Sequence, residues 1–143
     1  MTLRRLIAIA LSGLFLLALG TYLAGERTEV AVLKTFDPDQ TAHETKMWIV
    51  DYGGHQYVRI GRASRAAQGW GQRVHANPDV ELERGDAPPT PVHATFVEDD
   101  ATREAVDQVF SDKYGWVDWW FGIVVRKNPQ TVRLDPRASA SSR

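Results

Sequence analysis

Two adjacent glycines in the middle of the chain set the strongest constraint on its fold. The stretch KMWIVDYGGHQYVRI, Lys46 to Ile60, places Gly53-Gly54 between two runs of β-branched and aromatic residues. A two-residue hairpin turn needs positive φ at both central positions, which glycine adopts without steric cost. The flanking runs are therefore expected to pair as antiparallel strands. Their alternation puts Met47, Ile49 and Asp51 on one face and Trp48, Val50 and Tyr52 on the other.

The rest of the chain supports the same architecture. Val30-Ala31-Val32-Leu33 reads as a strand stopped by Asp37-Pro38-Asp39, and Val80–Glu83, Val92–Val97 and Thr131–Leu134 read as further strands. Ala63–Ala76 has a helical composition around Trp70 and Val74 and ends at Asn77-Pro78. Asp99 or Asp100 caps a second helix from Ala101 to about Lys113, with an aromatic helical stretch from Trp116 to Phe121 after Gly115. A doubly wound parallel sheet needs a helix in nearly every crossover, and this order does not supply them. The expectation is an α+β fold: a six-stranded, mainly antiparallel barrel flanked by two or three helices.

An apolar leader precedes this domain. Leu6 to Gly25 is twenty residues without a charge, behind Arg4 and Arg5. At about 1.5 Å per residue such a helix matches the roughly 30 Å hydrocarbon core of a bilayer. One reading is a retained anchor spanning 6–24. The other is a signal peptide cleaved near Ala18-Leu19-Gly20, which would release a secreted protein. Both place the remainder outside the cytoplasm, because Arg4 and Arg5 hold the short N-terminal end inside. The expected division is a leader over 1–25, a barrel domain over 26–136 and a polar tail over 137–143.

Composition excludes several chemistries. With no cysteine, the chain has no thiolate metal site, iron–sulfur cluster or cysteine nucleophile. A net charge of -1 argues against a broad nucleic-acid surface. His43, His55, His75 and His93 show no metal-ligand spacing, so no metal is expected, and Ser64 lies in no nucleophile elbow. What remains is a basic, glycine-containing segment at the hairpin exit, YVRIGRASR, with Arg59, Arg62 and Arg65 around Gly61 and Ser64. Arginine forks match phosphate oxygens, and glycine lets backbone N–H groups approach an anion. With Lys46 on the partner strand, this segment either holds a phosphate or forms a solvated edge that blunts strand pairing.

These segments, in this order, resemble a known family. HETKMWIVDYGGHQYVRIG, then WGQRVHANPDVELE, HATFVEDDATREAVDQVFSDKYGW and TVRLDP, are similar to the flavin- and deazaflavin-dependent nitroreductases. Those are split β-barrel flavoproteins related to pyridoxamine-phosphate oxidases. The resemblance covers Val30 to Pro136 and implies a homodimer, with FMN or a deazaflavin between barrel and partner subunit. By position it assigns the cofactor phosphate to Thr45, Lys46, Arg59, Gly61, Arg62, Ser64 and Arg65, with Trp70 close by. It implies an oxidoreductase passing electrons to a small quinone or nitro-type acceptor. No catalytic acid or base is expected, since the ring system carries the hydride or electrons. Deazaflavin-using relatives carry a glycine-rich GRxSGxPR-like segment where this chain has TFDPDQTAHETK. A second reading follows from that difference: a non-catalytic envelope binding module that kept the barrel and lost its cofactor.

Overall fold

A computed structural model describes residues 2–26, 29–61, 69–124 and 129–138, with side chains described up to residue 19 in the first helix and 119 in the last. The elements run α1 (Leu3–Glu26), β1 (Val30–Phe36), β2 (Ala42–Trp48), β3 (Val50–Tyr52), β4 (His55–Ile60), α2 (Trp70–Ala76), β5 (Asp79–Arg84), β6 (Thr90–Phe96), α3 (Asp100–Val124) and β7 (Gln130–Pro136). Gly53 and Gly54 take φ of 57° and 81° and close the expected β3–β4 hairpin, in which Tyr52 pairs with His55.

The strands form one antiparallel sheet in the order β2-β1-β5-β6-β7-β4-β3. Its two end strands are consecutive in the chain, joined by Ile49 alone, so the sheet curls round until its ends meet. The sequence predicts six strands, and the described residues form seven. The run Lys46–Tyr52 is not one strand: Trp48 pairs with Val30 of β1, whereas Val50 pairs with Tyr57 of β4. One straight ladder cannot serve both partners, so the chain changes partner at Ile49. The strand also begins earlier than expected, at Ala42, in a polar stretch.

The alternation expected across this segment holds on both sides of the bend. Met47 and Ile49 join Ala31, Leu33, Val58, Ile60 and Leu134 inside the curl, which α2 closes with Trp70 and Val74. Trp48 and Val50 face outward and meet Tyr57 and the α3 residues Val106, Phe110 and Tyr114 in a second cluster. A buried side chain of these types contributes roughly 1.5–3 kcal/mol. Two apolar layers thus sandwich the sheet where β3 and β4 lie.

The helices start and turn for local reasons. Asp99 caps α3: its Oδ2 accepts the Thr102 N–H at 2.8 Å. Gly115 bends it, with φ 57° and ψ −137°, a conformation open in practice only to glycine. Before the bend α3 lies on the sheet; after it the aromatic stretch continues as helix to Val124.

Among the described residues no helix is long and apolar enough to cross a membrane. Residues 6–24 do form a helix, within α1, but the expected transmembrane span is not supported there. What α1 does show is exposure: its large apolar side chains between Leu3 and Leu19 are all 40% exposed or more. They are not buried against the sheet.

Candidate functional site

The hairpin exit and the strand beside it are built by β4, the β2–β3 bend and α3. On β4, Val58 and Ile60 point into the curl, so Tyr57 and Arg59 point out toward α3. On β2, Met47 points in, so Lys46 and Trp48 lie on the outer face with Arg59.

Arg59, one of the expected phosphate ligands, is already engaged. Its Nη1 donates to Asp107 Oδ1 at 3.0 Å and its Nη2 donates to Asp118 Oδ1. Its guanidinium carbon lies 4.0 Å from the centre of the Phe110 ring. Both terminal nitrogens therefore clamp β4 to α3, through the half-exposed Asp107 and the buried Asp118, and the guanidinium's Nε is buried without a hydrogen-bond partner. As arranged, Arg59 does not fit a phosphate.

The other expected residues divide. Lys46 is exposed on the outer face of β2, where it pairs with Val32 of β1, and Gly61 is the half-buried residue just after β4. Thr45 points to the opposite face, paired with Leu33 of β1, so the two neighbouring side chains do not converge. Trp70 is 5% exposed and packed in the core, where its ring serves the barrel rather than a cofactor wall. Arg62, Ser64 and Arg65 lie outside the described residues. Among the described residues Lys46 is thus left exposed on the outer face, whereas Arg59 is held by Asp107 and Asp118, Thr45 faces the other way and Trp70 packs in the core.

A second polar centre lies around the strand bend. Ile49 sits between two ladders, so its peptide needs other partners. The Tyr114 hydroxyl accepts the Ile49 N–H at 3.0 Å. It lies 2.8 Å from the Ile49 carbonyl and 3.0 Å from the Glu29 carbonyl, to one of which it donates. The Lys113 ammonium donates to the Ile49 carbonyl at 2.8 Å and to the Glu29 carboxylate. Arg84 of β5 completes the group, with Nε 2.5 Å from Glu29 Oε1 and Nη2 2.7 Å from Asp51 Oδ2.

This network controls the local charges. Hydrogen bonding from Arg84, helped by Lys113, holds the Glu29 carboxyl at about 2, against an ordinary 4.5. Asp51 is lowered first by the same Arg84 hydrogen bond, and the Arg84 guanidinium is raised by Asp51 and Glu29. Burial raises the Tyr114 hydroxyl. Trp48 stacks on Tyr114 at 4.6 Å between ring centres, closing the outer side. Little in the sequence marks this centre beyond a Tyr-Gly pair inside a helical pattern, Tyr114-Gly115.

No family model matches the chain, and no curated protein does. Solved structures do resemble it. HutZ, a heme storage protein from Vibrio cholerae, superposes with a TM-score of 0.60 at 16% identity, covering 84% of this chain and 89% of that one. A putative pyridoxamine 5'-phosphate oxidase from Listeria innocua gives 0.55 at 20% identity, over 82% and 91%. An F420-H2-dependent reductase gives 0.56 at 18% identity, over 73% and 92%. At such identities the likeness establishes the fold, which is the split barrel that the sequence resemblance implied.

Proposed function

We propose that this chain is a membrane-anchored split-barrel oxidoreductase that binds FMN or a deazaflavin and reduces a quinone or nitro-type acceptor. The observation that carries the reading is Lys46, exposed on the outer face of β2 on the same side of the sheet as Arg59, in a fold shared with an F420-H2-dependent reductase. Lys46 and the Gly61 backbone would bind the cofactor phosphate, with Arg62, Ser64 and Arg65 as the further ligands the sequence nominates. The outer face between Lys46 and Trp48 would orient the ring system. A bound flavin or deazaflavin would supply the electron transfer itself. A homodimer, as the sequence resemblance implies, would cover that face and keep water from it.

The anchor reading rests on α1. A helix that is apolar on every face and exposed along its described length calls for an apolar surrounding. Its sequence continues uncharged past the described side chains to Gly25, and Arg4 and Arg5 would keep its start on the cytoplasmic side. The barrel would then stand on the outer face of the membrane.

One observation favours the second reading, a binding module without a cofactor: Arg59 is held by Asp107 and Asp118 rather than turned toward a ligand. Titration of the detergent-purified full chain with FMN and with a deazaflavin, followed by fluorescence, separates the two. The oxidoreductase reading expects saturable binding of one of them at or below about 50 µM, weakened about tenfold by Lys46→Ala. No binding of either would leave the binding-module reading.

A further inference from the structure

The aromatic end of α3 is inside out for a surface helix. Beyond the Gly115 bend its acidic residue, Asp118, is 6% exposed and turned to Arg59. Its tryptophans Trp116 and Trp119, three residues apart and so on neighbouring positions of the helix surface, are 59% and 63% exposed. Water is a poor surrounding for two such rings when the charged side chain between them has been buried instead.

Their position points to what covers them. Lys113 and Tyr114, immediately before the bend, hold Glu29 through its carboxylate and its carbonyl. Only residues 27 and 28 separate Glu29 from Glu26, the end of α1, a reach of about 10 Å at most. The exposed tryptophans therefore begin next to the point where the apolar leader joins the barrel. Indole, apolar in its body with one N–H donor, partitions to the headgroup layer of a bilayer rather than its interior.

We propose that Trp116 and Trp119 form a second, interfacial membrane contact, seated in the headgroup layer of the bilayer that takes α1, which fixes the tilt of the barrel on that surface. The proposal rests on the anchor reading of α1. The Glu29 latch holds the residue three positions after the end of α1 against Lys113, just before the bend in α3.

The full chain, reconstituted in phosphatidylcholine vesicles containing lipid brominated near the top of the acyl chain, tests it through tryptophan quenching. Trp116→Phe/Trp119→Phe is expected to lose at least about half of the quenching seen in the parent. Equal quenching in parent and double variant, with both retained after alkaline carbonate washing, overturns the interfacial contact and leaves the anchor standing. Loss of the parent protein to the carbonate wash overturns both. Because the chain has no cysteine, Trp119→Cys adds a unique thiol: rapid disulfide formation between copies in the vesicles would assign the surface to a second copy and overturn the proposal.

Discussion

Arg59 and Asp118, fifty-nine residues apart in sequence, meet as an ion pair in which each side chain is 8% exposed. Removing Asp118 leaves the buried guanidinium with Asp107 as its remaining acid, at a cost of about 3 kcal/mol, the low end for a broken buried pair. Asp118→Ala is expected to lower stability by that order, whereas Asp118→Asn, which keeps an acceptor, loses less. Urea unfolding of the two variants beside the parent measures both.

Tyr114→Phe removes the hydroxyl that completes the Ile49 peptide, leaving a buried N–H without its acceptor. The expected loss is about 1–3 kcal/mol. Tyr52→Phe, at an exposed ring on β3, should stay within about 0.5 kcal/mol of the parent. Equal effects in thermal unfolding would remove Tyr114 from its role at the bend.

Gly115→Ala meets nothing within 4 Å of the added carbon, yet must adopt φ of 57°. Its cost is therefore backbone strain, about 1–3 kcal/mol. The change should also shift the near-ultraviolet circular dichroism of the aromatic stretch beyond the bend, which reports whether α3 straightens.

Glu29 gives a pH signature. Its folded value of about 2 lies below the ordinary 4.5, so the folded state favours the carboxylate. That stabilisation is complete above about pH 4.5 and is lost as pH falls toward 2. The group is partly exposed, so solvent screening reduces the amplitude. Thermal midpoints of parent and Glu29→Gln should differ by a constant above pH 5 and converge below it; parallel curves down to pH 2 would contradict the latch.

The strands and the hairpin were legible because alternation and paired glycines are local properties. The partner change at Ile49 was not, since it depends on which distant strands lie alongside, and neither Trp48 nor Val50 carries a mark of its partner. The basic cluster is visible in the sequence as residues, but the partners of Arg59 are not. Arg59 is neutralised by acids 48 and 59 positions later on α3, which no short window contains. Thr45 and Lys46 could have been separated in advance by strand alternation alone. Arg62, Ser64 and Arg65, the remaining ligands expected on the sequence, fall outside the described residues.

The strand that follows the leader has a mechanical consequence. β1 runs between β2 and β5, bonded along both edges. A pull on the N-terminal end acts along the strand axis, so both ladders are loaded in shear and their bonds must yield together. A strand at a sheet margin would instead peel open one bond at a time. Glu29, latched to Arg84 and Lys113 just ahead of β1, spreads the load to β5 and α3 before it reaches β1. The attachment point is thus a strong place to tether this barrel, and drag on it from a moving surface would be resisted by several elements at once.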